Sequence, residues 1–65
     1  MKTYYAVCLK DENITDKEKS FTLKQGNKYI ISPVDSNGNV TVFSTYWIHG
    51  VNANLFDNLT PGPGN

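Results

Sequence analysis

The chain contains no arginine, and its six lysines are balanced by six acidic residues, so the formal net charge is zero. Phosphate binding is driven by clustered positive charge that releases counterions, and arginine supplies the bidentate contact that reads guanine. A dedicated nucleic-acid binder is therefore disfavoured. With one cysteine, Cys8, no intramolecular disulfide can form, and the Met-Lys-Thr-Tyr-Tyr start lacks the apolar run of a signal peptide. A reducing, cytoplasmic setting is expected. No apolar stretch approaches the roughly 20 residues of a membrane-spanning helix, and neither end carries a lipidation motif, so no membrane partner is expected. The single histidine, His49, and Cys8 together give two metal ligands where three or four are needed, and no nucleophile, base and orienting carboxylate are grouped. No metal, cofactor or catalytic residue is expected, and an enzymatic function is the least expected.

What is present reads as strands and turns. Residues 28–34 and 39–45 form the organising hairpin, reversed through Asp35, Ser36, Asn37 and Gly38. Asn37-Gly38 is a strong short-range hairpin signal, because both residues accept the positive φ of a two-residue reversal. Val40 and Val42 point to one face of the returning strand, Thr41 and Phe43 to the other, and Pro33 belongs at a strand end or edge. Residues 3–9 form a strand that is apolar on both faces, with Tyr4, Ala6 and Cys8 opposing Tyr5, Val7 and Leu9, as expected of a central or covered strand. Gly26 takes the strained position of a turn at residues 24–27, which follows Phe21 and Leu23.

Residues 10–20 are polar except for Ile14 and alternate in charge sign. They are expected to be a solvated loop with Ile14 folded back onto the core. Residues 46–51 continue as a further strand, with Gly50 available for a bulge. Val51, Leu55, Phe56 and Leu59 then fall at the spacing of one helical face, so a short helical turn, capped by Asn52 or Asn54, is expected near the C-terminus. The sequence thus predicts an all-β fold: a small, strongly bent barrel of four to five strands. At 65 residues a single domain spans residues 1–59, followed by a flexible Pro/Gly tail at 60–65.

Ala6-Val7-Cys8-Leu9, a polar loop, Phe21-Thr22-Leu23-Lys24-Gln25-Gly26-Asn27-Lys28-Tyr29, a hairpin and a closing Leu55-Phe56 follow one another in that order. This order resembles the small SH3-like β-barrel proteins of phages and bacteria, in which a Leu-Lys-x-Gly-x-x-Tyr turn leads into a long hairpin and a Phe-bearing segment closes the barrel. The resemblance implies a fold and a role in binding a host or phage protein. It transfers no catalytic residue.

The aromatic residues are the groups best suited to make contacts. Tyr46 and Trp47 are adjacent, so in an extended segment they point to opposite sides and one of them lies outside. Exposed Tyr and Trp commonly anchor protein interfaces. The expected partner-binding set is Tyr46, Trp47 and His49, with Asp11, Glu12, Asp16, Lys17 and Lys19 of the charged segment as rim contacts. The leading function is a non-enzymatic protein-interaction module, phage-encoded as the resemblance implies, that modulates or inhibits a host protein. The alternatives are a nucleic-acid-binding barrel, using Lys17, Lys19, Lys24 and Lys28 with Tyr29 or Trp47 stacking on bases, and a structural or homo-oligomeric phage component.

Overall fold

The Asn37-Gly38 reversal forms with one positive φ instead of two. In the computed structural model, which describes residues 2–63, Gly38 has φ 79° while Asn37 stays outside that region. Asp35 organises the turn: its carboxylate accepts the N–H groups of Asn37 (2.8 Å) and Asn39 (2.9 Å), and its carbonyl accepts that of Gly38 (3.1 Å). The Asp35 N–H donates to the Asn39 carbonyl at 2.9 Å, closing a three-residue loop in which glycine alone takes the left-handed position.

The described residues are all-β. One antiparallel sheet comprises β1 (Tyr4–Cys8), β4 (Lys28–Ile31), β5 (Asn39–Phe43), β6 (Trp47–Asn52) and β7 (Phe56–Pro61); β2 (Glu12–Asp16) and β3 (Lys19–Leu23) form a separate hairpin. The sheet order is β6-β5-β4-β1-β7, which leaves β6 and β7 as edges, so the expected closure of one sheet on itself is not seen. Each edge strand carries an irregularity: the β5–β6 register shifts between Val40 and Val42 beside Gly50 (φ 73°), and the β1–β7 register shifts between Tyr5 and Val7 beside Asn58 (φ 54°). Bulges of this kind twist an edge away from pairing with another chain.

The core lies on one face of this sheet. Tyr4 stands opposite Ile31 on one side and Pro61 on the other, Ile31 opposite Val42, and Val42 opposite Ile48, which makes an inner row across all five strands. Ala6, Cys8, Val40, Val51 and Phe56 extend it, and Leu23 of the hairpin packs onto it, all buried. Full burial of one such aliphatic side chain contributes about 1.5–3 kcal/mol.

Two further expectations are corrected, for residues 12–16 and for the tail, and the expected C-terminal helical turn is found in a shorter form. Residues 12–16 are a strand, not a solvated loop: Ile14 pairs with Phe21, and both pack against the core. Their polar neighbours face the other way, where the Asn13 side-chain oxygen accepts the hydroxyls of Ser20 (3.0 Å) and Thr22 (3.3 Å). The hairpin is joined to the sheet through rings, Phe21 edge-on to Tyr29 at 6.0 Å and Tyr29 edge-on to Phe56 at 6.3 Å.

Near the C-terminus only Ala53–Leu55 is helical, a single 3-10 turn whose start is capped by the Asn52 side chain accepting the Asn54 N–H at 2.9 Å. Phe56 is already extended (φ −125°, ψ 149°) and opens β7, because the ladder to β1 outcompetes a further turn of helix. Leu59, placed on the expected helical face, is exposed.

The tail is tied down as far as it is described. Thr60 and Pro61 complete β7, the Gly62 N–H donates to the Thr3 carbonyl at 3.0 Å, and the Thr3 hydroxyl donates to the Pro63 carbonyl at 2.6 Å. These hydrogen bonds offset the entropy of ordering that would otherwise free the segment. Gly64 and Asn65 lie outside the described residues.

Candidate interaction surface

The same cross-strand registers that build the inner row build a second one on the outer face. Thr60 stands opposite Tyr5, Tyr5 opposite Ile30, Ile30 opposite Phe43, and Phe43 opposite Trp47. Residues directly opposite in antiparallel strands share a face, so this is one line of side chains crossing five strands. Ile30 and Phe43 are half-buried by their neighbours, Tyr5 is 37% exposed, and Trp47 at the end of the line is 61% exposed. The ring of Phe43 meets that of Trp47 edge-on at 5.1 Å. At that exposure, and with up to about 250 Å² in such a side chain, Trp47 leaves roughly 150 Å² in water, worth on the order of 4 kcal/mol to a partner that covers it.

Tyr46 and Trp47 do not divide between the two faces as their adjacency suggested. Tyr46 lies in the bend before β6, where the Ser44 N–H donates to the Tyr46 carbonyl at 3.1 Å, so strand alternation does not reach it and both rings are exposed. The Lys19 ammonium sits 4.4 Å from the centre of the Tyr46 ring, which places the distal end of the β2–β3 hairpin beside this corner. His49, two residues beyond Trp47 on the outer face, is exposed, with Nδ1 3.0 Å from the Thr41 hydroxyl.

The charged residues expected at the rim do not form one surface. Lys19 reaches the aromatic corner, and Lys17 lies at the hairpin reversal with φ 58°. Asp11 sits at the opposite end of the hairpin, where its carboxylate accepts the Gln25 N–H at 2.8 Å and holds the 24–27 turn. Glu12 is half-buried, pairs with Leu23 in the ladder, and lies 3.8 Å from the Lys10 ammonium. Asp16 stands opposite Lys19 in the hairpin ladder; its side chain is outside what the structure describes. Tyr29, considered for base stacking, is half-buried inside, its hydroxyl accepting the Lys24 N–H at 2.9 Å.

Where β2 runs beside β6, a groove of about 300 Å³ opens, lined by Ile14, Val51 and Leu55 with Lys10, Glu12 and Asn52. Sequence reasoning missed both this groove and the extension of the aromatic corner through Phe43, Ile30 and Tyr5. The two-faced apolar character of the strands was the available signal for the outer row, but its continuity depends on register. Among the described residues no three His, Cys, Asp or Glu side chains are grouped to hold a metal ion, and Cys8 is buried while His49 is exposed on the other face. No helix of the described residues is long and apolar enough to cross a membrane. Compared with known protein families, curated proteins and solved structures, the chain matches none of them.

Proposed function

We propose that the chain is a non-enzymatic protein-interaction module, an SH3-like small barrel that acts in the cytoplasm of a phage's host by covering a surface of a host or phage protein. The order of elements supports the SH3-like part: a first strand, a polar hairpin, a three-strand meander, one 3-10 turn, and a last strand returning to the first. The interaction part rests on one observation. Trp47, the chain's only tryptophan, is 61% exposed at the end of an apolar row that the fold's own core does not use. Tryptophan and tyrosine anchors backed by packed neighbours carry a large share of binding energy in protein interfaces. Phe43 backs Trp47, Tyr46 adds a second ring, and Lys19 and His49 supply the polar surround.

The test is capture of a partner by affinity purification from the native host, followed by a binding titration of Trp47→Ala and Tyr46→Ala against that partner. Loss of Trp47 is expected to weaken binding by at least about tenfold while the far-UV circular dichroism and melt stay close to wild type. A folded Trp47→Ala variant with full affinity removes this corner from the account.

A further inference from the structure

The outer face carries a second pattern, one row away from Tyr5 and at the other end of the sheet from Trp47. Val7 of β1 stands opposite Lys28 of β4 on one side and opposite Asp57 of β7 on the other. Lys28 and Asp57 are exposed and of opposite sign, and Val7 between them is half-buried. Two strand spacings, about 9.6 Å, separate their backbones, and among the described residues no ion pair joins them to each other or to another charge. The Asp57 carboxylate accepts only the neighbouring Asn58 N–H, at 2.8 Å.

We infer that this face binds a second copy of the chain, with β1 packed face to face on β1 of the partner about a two-fold axis parallel to that strand. The pattern is self-complementary under that operation. The axis exchanges the positions of β4 and β7, so Lys28 of each copy meets Asp57 of the other, Val7 meets Val7, Tyr5 meets Tyr5, and Ile30 meets Thr60. An isologous contact needs a patch that complements itself in this way, and such dimers are the commonest oligomers. Zero net charge on the chain removes the repulsion that keeps like molecules apart. The bulges at Gly50 and Asn58 disfavour edge-to-edge pairing, which directs association to the face. The overlap spans three strands and falls short of the roughly 800 Å² per partner of a standard interface; the dimer is correspondingly weak. The overlap takes in Tyr5, Ile30 and Thr60 of the outer row but leaves its Phe43–Trp47 end and Tyr46 uncovered, so the dimer and the interaction corner proposed above can be occupied together.

Sedimentation velocity of the purified chain, from about 5 to about 500 μM, decides it, with a dissociation constant expected on the order of 100 μM. Lys28→Glu sets like charges against each other twice and is expected to weaken the dimer at least about tenfold. Lys28→Asp combined with Asp57→Lys restores the two pairs and with them the dimer. Circular dichroism confirms that each variant is folded; should the swap fail to fold, Lys28→Glu alone decides. Trp47→Ala is expected to leave the dimer unchanged and Lys28→Glu to leave partner capture unchanged, so the two readings fail separately. A chain that stays monomeric throughout, an unaltered dimer in Lys28→Glu, or a folded swap that does not recover association each overturns the inference, as does a monomer whose β1 face instead binds an unrelated protein.

Discussion

Two neighbouring rows on opposite faces of the five-stranded sheet are nearly alike in composition and opposite in fate. The inner row of Pro61, Tyr4, Ile31, Val42 and Ile48 and the outer row of Thr60, Tyr5, Ile30, Phe43 and Trp47 run side by side, one residue apart on every strand. The β2–β3 hairpin brings Ile14, Phe21 and Leu23 to the inner face, and β7 adds Phe56; nothing in the described chain does the same for the outer face. An apolar strand row therefore becomes core or stays exposed according to what else the chain has to cover it. Here the supply ends with one hairpin.

The sharpest test of that difference uses two neighbours. Ile31 is 1% exposed and central to the inner row, whereas Ile30 faces outward and is half-buried. Ile31→Ala is expected to cost about 3 kcal/mol, and Ile30→Ala less than half as much. In a chain this small the first loss corresponds to a fall in Tm of roughly 15 °C. Equal melts for the two variants would erase the distinction between the faces.

The next effect concerns the strand that completes both rows. A Cβ on Gly62 would stand 2.7 Å from the Thr3 hydroxyl oxygen and 3.0 Å from the backbone at Thr3 and Tyr4. Gly62→Ala is accordingly expected to destabilise by about 1–3 kcal/mol, with faster amide exchange concentrated in β7. A wild-type melt would mean that the segment after Pro61 is not held against β1.

Smaller, and opposite in sign, is the effect at the reversal of the covering hairpin. Lys17 holds φ 58° there, a conformation that costs a side chain roughly 1–2 kcal/mol. Lys17→Gly is expected to raise stability by about 1 kcal/mol in chemical denaturation. The smallest change is expected at the outer face itself: Trp47→Ala shifts stability by less than about 1 kcal/mol, the share of its edge contact with Phe43. A larger loss would make Trp47 a packing residue.

Local chemistry made the central hairpin legible, because Gly26 and Gly38, both at positive φ, mark the turn that leads into it and the turn that reverses it. The alternation in β1 likewise separated Ala6 and Cys8 from Tyr5 and Leu9. The β2–β3 hairpin was missed because six charged residues, at 11–12 and 16–19, mask a period-two pattern in Ile14, Phe21 and Leu23, and because its reversal uses Lys17 in place of glycine or asparagine. β7 was misread because Val51, Leu55, Phe56 and Leu59 satisfy helical spacing over a window too short to exclude a strand. Its true partner, β1, lies more than 45 positions away, as does Thr3 from Pro63, and no local pattern reports such a pairing. At the candidate site, adjacency made it legible that one ring of the Tyr46–Trp47 pair lies outside, whereas the exposure of both and the row behind Trp47 depend on the bend before β6 and on register between strands far apart in sequence.

Trp47 is the only tryptophan, so fluorescence quenching by acrylamide in the dilute, isolated chain reads the outer face without interference. Quenching close to that of a freely exposed indole, with a red-shifted emission, is the outcome expected from an uncovered row. A blue-shifted emission shielded from quencher to the degree of a core tryptophan would contradict it.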